Sequence, residues 1–460
     1  TDDGLVQLTR DGGKTWRDVT PKGLDHGFVN AIDVSPFDAG TAYITYDGYK
    51  WSDWSPQIYR TTDYGRSWTA LVNGIRDGDQ VRVVREDPVR RGLLYAGTET
   101  GAYVSFDDGR RWQSLQANLP AVPVTDLQIR DGDLVASTEG RAFWIMDDLS
   151  PLEQGADRVP AGENRLFAPR DARLTEWGPA FGGNRPGANP PSGAIVYYHL
   201  AANTDSARVS LEILNAAGTV IRTFHAKASP GHPAIDGAPG MHRAVWDLRV
   251  EPLDAPHGVN FFGLTEGHLV APGRYTVRLT AGGQTFSEPL TVRHDPRVHL
   301  TADQIAEEQR VIAAIQDRAN AIFRDAKRLD DVRDQVKAIV AHAKDLPRSD
   351  SVSAAGKTLQ ERLDSLSTAL VQLKHTNGQD IIDFPNGIVD QWIYLASGVD
   401  GSYMPVTDGV KARLADLQAA WPAVQAKIDD LLGAQVSAFN TLLGGRAVVI
   451  VPAVPSKPIP

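Results

Sequence analysis

An eight-residue segment recurs three times without gaps in the first third of the chain. The copies are Thr9-Arg-Asp11-Gly-Gly13-Lys-Thr15-Trp16, Thr61-Thr-Asp63-Tyr-Gly65-Arg-Ser67-Trp68 and Ser105-Phe-Asp107-Asp-Gly109-Arg-Arg-Trp112. Their starts lie 52 and 44 residues apart, the length of one four-stranded propeller blade. Between them, short β-branched or aromatic runs (Thr41–Thr45, Val81–Val84, Leu93–Ala96, Leu134–Ala136) alternate with Asp-Gly, Asn-Gly and Gly-Gly turns. Within each copy the carboxylate can accept backbone N–H groups of a tight hairpin turn. The glycine supplies a positive φ, and the tryptophan fills space beside the next strand. Asp11, Gly13, Trp16, Asp63, Gly65, Trp68, Asp107, Gly109 and Trp112 therefore read as structural, marking a fold and not an active site.

Residues 134–148 look like a last hairpin. Ser137, Glu139 and Trp144 keep step with the repeat, while Gly140 falls one place early. Residues 1–150 thus read as a partial β-propeller of about three blades. Closed propellers take at least about four, so two raw sheet edges are expected unless another chain or a missing N-terminal propeller region completes the ring.

The rest of the chain changes character twice. Residues 151–192 are rich in Pro and Gly, with Gly182-Gly183 and Pro190-Pro191, and read as a linker. Residues 193–297 return to strands at Ala194–His199, Ser210–Leu214, Val220–Phe224, His242–Asp247, Gly273–Leu279 and Pro289–Val292, which suits an immunoglobulin-like sandwich. Thr301-Ala-Asp-Gln304 is a capping box, and no Gly or Pro follows until residue 347. Apolar residues then recur at helical steps from Ile305 to Ile339, from Leu359 to Leu373 and from Leu414 to Phe439, the last run interrupted by Pro422. With a further turn of helix at Asn386–Ala396, residues 298–445 read as an antiparallel bundle that could serve oligomer contacts. Residues 446–460 read as a Pro-rich tail, and the fold class is multidomain β plus α.

Composition removes several functions. The chain has no cysteine, which excludes disulfide scaffolds, thiolate clusters and cysteine nucleophiles. Its net charge of −10 argues against a nucleic-acid surface, and no apolar run is long enough to span a membrane. Gly13-Lys14-Thr15 and Gly356-Lys357-Thr358 lack the leading glycine of a phosphate loop. His225, His232 and His242 could meet in the sandwich, but they read as solvated or singly bonded side chains, and no cofactor or metal is expected.

The repeat resembles the Asp box, the bacterial neuraminidase repeat. The whole order resembles large bacterial exported proteins described as sortilin-like or glycosyl-hydrolase-like repeat proteins. Stretches carrying the likeness are Val81-Arg-Val-Val-Arg-Glu86-Asp87-Pro88, Leu94-Tyr-Ala-Gly97-Thr98-Glu99-Thr-Gly101, Leu119-Pro120-Ala-Val-Pro-Val124-Thr125-Asp126-Leu127 and Gly140-Arg141-Ala-Phe143-Trp144. The resemblance implies a secreted or periplasmic bacterial protein of which this chain is the C-terminal portion. Glu139 departs from the group, where His is frequent, and sortilin's cysteine-rich module is absent.

The richest local chemistry lies in the loop Tyr43–Trp54. Tyr46, Tyr49, Trp51 and Trp54 can stack on sugar faces, with Arg141 as a further ligand-binding candidate. Asp47, Asp53 and Glu99 are the catalytic candidates, since glycosidases need a carboxylate pair about 5–9.5 Å apart. The reading is an exported propeller protein binding an extracellular glycan or protein. Its alternatives are a glycoside hydrolase with its carboxylate pair on the propeller axis, and a surface-assembly component.

Overall fold

The computed structural model describes residues 3–24, 26–175, 189–227, 234–345, 348–401, 404–445 and 448–453. The chain divides into two compact units, Thr1–Arg170 and Asp171–Pro460.

The first unit is a succession of antiparallel meanders. A hairpin of β1 (Gln7–Leu8) and β2 (Arg17–Asp18) comes first. A four-stranded sheet follows, of β3 (Phe28–Val34), β4 (Ala42–Asp47), β5 (Ile58–Thr61) and β6 (Thr69–Ala70). The next four-stranded sheet holds β7 (Val81–Glu86), β8 (Leu94–Thr98), β9 (Ala102–Ser105) and β10 (Gln113–Ser114). The last holds β11 (Val124–Arg130), β12 (Asp133–Thr138) and β13 (Phe143–Met146). Helix α1 (Ser150–Glu153) and strand β14 (Arg165–Leu166) end the unit.

Apolar layers lie between successive sheets, which is what makes a row of short meanders stable. Val6, Val19 and Ile44 join the first pair. Tyr43, Ile58, Leu71, Val84, Leu94 and Trp112 join the second, and Val83, Tyr95, Val104, Val124 and Leu134 the third. Strand β8 is buried along its whole length because it has a neighbour on both faces. The first strand of each of the last three sheets carries a register shift near its start, at Val29/Ala31, Val81/Val83 and Val124/Asp126. The unpaired residue at each shift (Asn30, Arg82, Thr125) is re-aimed, as β-bulges do.

The second unit combines β-strands and helices. Strands β15 (Ala172–Leu174), β16 (Ala194–Leu200), β17 (Ser210–Leu214), β18 (Val220–His225), β19 (Gly240–Trp246), β20 (Gly273–Ala281) and β21 (Gln284–His294) are followed by α2 (Ala302–Ala341), α3 (Ser349–Leu370), α4 (Ile388–Ser397), α5 (Asp408–Asp430) and α6 (Val436–Leu442). One sheet runs in the order β15-β21-β20-β17-β18, with β15 parallel to β21 and the other pairs antiparallel. Strands β16 and β19 form an antiparallel pair from Ala194↔Trp246 to Leu200↔Gly240. Helix α2 starts where the capping box places it, with the Thr301 hydroxyl accepting the Gln304 amide and the Gln304 side chain accepting the Thr301 amide.

The helices share one apolar core that also takes Leu253, Phe261 and Leu264 from the segment between β19 and β20. That segment is bonded into the helices: the Asn260 amide donates to His375 O at 2.6 Å and the Leu264 amide to Ile393 O at 3.1 Å. Strands and helices of residues 171–460 therefore pack as a single unit. The Pro/Gly-rich stretch 151–192 carries β14 and β15, while Gly182-Gly183 lie outside the described residues. Of the C-terminal tail, residues 446–447 and 454–460 also lie outside them; Val449 is held by Asn440 through both its amide and its carbonyl.

Candidate functional site

The three repeats share one hydrogen-bond set. The Thr9, Thr61 and Ser105 hydroxyls each donate to the Asp two residues on at 2.9 Å. The same hydroxyls accept from the Gly13, Gly65 and Gly109 amides at 2.9, 2.8 and 2.9 Å. Each Asp also accepts the amide four residues on (Thr15, Ser67, Arg111) at 2.9 Å. The Thr15 and Ser67 hydroxyls add bonds of 2.6 and 2.7 Å, and these, followed by the same residues' amides, hold Asp11 and Asp63 down to a pKa of about 2. These carboxylates spend their acceptor capacity inside their own turns. The tryptophans reach backwards: Trp68 donates to Val19 O at 2.7 Å and Trp112 to Leu71 O at 2.8 Å, stitching each repeat to the preceding sheet. Trp16 donates to Gly13 O of its own turn and is 61% exposed.

The aromatic loop leaves the end of β4. Beyond Asp47 the chain makes a 3-10 turn at Tyr49–Trp51, passes Ser52 in the left-handed region (φ 64°) and returns through a bridge between Gly48 and Asp53. Two carboxylates fasten it. Asp47 is 2% exposed and accepts from the Tyr49 amide (2.9 Å), Gln80 Nε2 (3.2 Å) and Asn30 Nδ2 (3.3 Å). Asp53 accepts from the Ser55 hydroxyl (2.5 Å), the Ser55 amide (3.0 Å) and Gln57 Nε2 (2.7 Å). The Ser55 hydroxyl and then its amide lower the Asp53 pKa. Gln80 also donates to Asp53 O at 3.3 Å, so one buried amide ties both ends of the loop.

This fastening pushes rings outward. Tyr49, Trp51 and Trp54 are 38%, 47% and 56% exposed. His26 and Phe28 extend the patch: His26 stacks on Trp51 with centroids 6.0 Å apart, Phe28 lies 5.5 Å from Trp51, and Tyr49 lies 6.4 Å from Trp54. Lys50 Nζ sits 4.6 Å from the Phe28 centroid. Tyr46, expected among the ligand-binding aromatics, is instead buried. Its ring packs so closely under Gly27 that a Cβ there would lie 2.3 Å from Tyr46 Cε1.

The remaining candidates stand apart from the rings. The Glu99 carboxylate pairs with Arg82, one of the bulge residues, while its amide donates to Gln80 O at 3.0 Å. Arg141 is exposed at the turn before β13, donating to Gly140 O at 3.3 Å, and no described contact joins it to the aromatic loop. Sequence reasoning missed His26, Phe28 and the tether Gln80. The pairing Phe28↔Asp47 in the β3–β4 hairpin is the signal that could have found Phe28.

Among the described residues no group of three or more His, Asp or Glu could hold a metal ion. His242 lies tilted against Tyr198, with ring centroids 5.3 Å apart, and bonds Ala238 O; His225 is exposed, and His232 lies outside the described residues. No helix among the described residues is long and apolar enough to cross a membrane.

No protein-family model and no curated protein matches the chain. Among solved structures it is similar to YCF48 bound to D1 peptide, at 16% identity over 62% of this chain and 75% of that one, with a TM-score of 0.24. YCF48 from Cyanidioschyzon merolae gives 14% identity over 65% of this chain and 80% of that one, TM-score 0.24. The GH74 xyloglucanase from Xanthomonas campestris gives 14% identity over 63% of this chain but 42% of that one, TM-score 0.26.

Proposed function

We propose that residues 1–170 are part of a β-propeller that binds an extracellular glycan on the patch formed by Tyr49, Trp51, Trp54 and Phe28. The strands of residues 193–297 act as an Ig-like sandwich, and the helices of 298–445 as a bundle. The observation that carries the reading is the exposure of several contiguous rings on a loop whose backbone is held by buried polar bonds. Exposed large aromatics are costly unless they meet a partner, and a pre-organised row of them suits the apolar faces of pyranose rings. Lys50 beside the rings supplies a hydrogen-bonding group.

Binding is favoured over hydrolysis. A glycosidase acid must hold its proton near neutral pH. Asp53 is shifted the other way, Asp47 is buried with three donors, and Glu99 is paired with Arg82. We assign Asp47 and Asp53 the role of positioning the loop.

The test is retardation in native gels cast with soluble β-glucans and other polysaccharides, read alongside tryptophan fluorescence. Trp51→Ala and Trp54→Ala should each weaken binding about tenfold, the loss of roughly 1.4 kcal/mol of stacking. Trp16→Ala should bind as the parent does, and no reducing sugar should be released. Absence of binding to every glycan, or wild-type binding by both loop variants, overturns the proposal; capture of a protein ligand by the same patch would assign it to protein recognition.

A further inference from the structure

Residues 171–460 contain a cavity of about 190 Å³ that the glycan reading does not use. The end of β21, the turn after β19, the strand-like segment 269–272 and the first turns of α2 enclose it. The capping box fixes the start of α2, so Ile305, Glu308 and Gln309 (i, i+3, i+4) share the face that lines it. The turn after β19 is strained: Leu248, a buried non-glycine residue, sits at φ 60°, held there by the Val270 amide donating to its carbonyl at 2.9 Å. Such strain concentrates at functional sites. Leu248, Val270, Pro272 and Ile305 make the walls largely apolar.

Several polar groups at the cavity are already engaged. Arg249 is paired with Asp400 at 2.6 Å and also donates to Gly267 O, and the other oxygen of Asp400 accepts the Leu269 amide at 2.7 Å. Asp247 accepts the Arg249 amide, and Gln309 donates to Leu269 O. The buried His294 Nε2 has no hydrogen-bond partner, and the Glu308 carboxyl makes none among the described residues. The Thr175 and Ser192 hydroxyls and the exposed Arg173 also line the cavity.

We propose that this cavity binds a small molecule with one primary ammonium group on a short apolar body, the ammonium donating to the Glu308 carboxylate and to His294 Nε2. An anion is disfavoured: Asp400 and Asp247 lie close by, the charge of Arg249 is matched by Asp400, and Arg173 is exposed on β15, where solvent screens it. Burial, and then Asp400, push the Glu308 pKa up to about 7, and burial lowers that of His294, leaving a neutral ring able to accept at Nε2. A cation therefore meets an acid that can ionise on its arrival. A cavity of ~150 Å³ already admits benzene, so benzylamine is a fitting probe.

Calorimetric titration of the full chain with benzylamine, benzyl alcohol and benzoate tests this. Benzylamine stays protonated from pH 6 to 8, and its affinity should rise about tenfold across that range as Glu308 ionises, with about half a proton released per site at pH 7. Benzyl alcohol and benzoate should bind at least about tenfold more weakly at pH 8. Glu308→Gln should remove both the pH dependence and the proton release while leaving the thermal midpoint unchanged at about pH 4, where the carboxyl is protonated in the folded chain and largely so in the unfolded one. No binding of benzylamine, equal or tighter binding of benzoate, or wild-type behaviour of Glu308→Gln overturns the proposal. If that variant fails to fold, the comparison of the three probes on the parent chain decides alone. The outcome is independent of the aromatic patch, which lies in the other unit.

Discussion

At the scale of single residues, three tryptophans occupy one position in a repeat yet do different work. Trp112 is 2% exposed in the layer between two sheets, and its indole satisfies Leu71 O. Trp112→Ala removes a large buried ring and orphans a carbonyl, a loss of about 3–5 kcal/mol. Trp16 is 61% exposed and bonds within its own turn, so Trp16→Ala should change stability by less than about 0.5 kcal/mol. Urea denaturation followed by tryptophan fluorescence measures both, and equal losses would contradict the packing described here. The motif was legible because its bonds are local: hydroxyl, carboxylate and glycine lie within four residues of one another. The fate of each tryptophan was not, since it depends on a sheet some forty to fifty residues earlier, as in Trp68 to Val19 and Trp112 to Leu71.

At the scale of elements, legibility followed how much of an element's pattern its own sequence carries. Helix α2 was readable from its capping box and apolar steps, and β17 from its turns. The outer strands β6 and β10 are two residues each and leave no periodicity to read. Pro422 was expected to interrupt the last helical run, yet α5 continues through it to Asp430; the irregularity comes later, as a π-helical turn at Leu431–Gln435. That turn is set by how the run meets its neighbours, which no local pattern announces. Gly356 makes the same point. Its place in a failed phosphate-loop match gave no reason for a glycine, but in α3 an added Cβ would lie 2.3 Å from Val340 Cγ2 of α2. Gly356→Ala should therefore destabilise the helical part by about 1–3 kcal/mol, even though alanine gains about 1 kcal/mol of helix propensity. Urea unfolding followed by far-ultraviolet circular dichroism checks the sign, and a stabilised variant would show that the two helices move apart at small cost.

At the scale of the whole molecule, distance along the chain decided what could be foreseen of the sites. The aromatic loop was legible because its rings cluster within a few residues, whereas its partners His26 and Phe28, and the burial of Tyr46, required the strand register. The cavity of the second unit gathers residues from β15 to Gly401, beyond α4, and was invisible. Each unit has its own cores, so each should respond separately to a charge placed within it. Glu153, on α1, tests this. Its Oε1 is buried without a hydrogen-bond partner, and burial, followed by the charges of Asp87 and Asp148, raises its pKa from 4.5 to about 7. The folded chain thus keeps a proton that the unfolded chain releases, and stability falls as pH rises through this interval. The cost is absent below about pH 4.5 and complete above about pH 7. Because the group is partly exposed, its size is on the order of 1 kcal/mol. Glu153→Gln abolishes the charge, so at pH 8 the thermal transition of residues 1–170 should rise by about 2–4 °C, with no change at pH 4.5. The transition of residues 171–460 should stay where it is at both pH values. Scanning calorimetry of parent and variant reads all four midpoints, and a shift of the second transition, or one of equal size at both pH values, would refute independent units with Glu153 as a pH-dependent liability of the first.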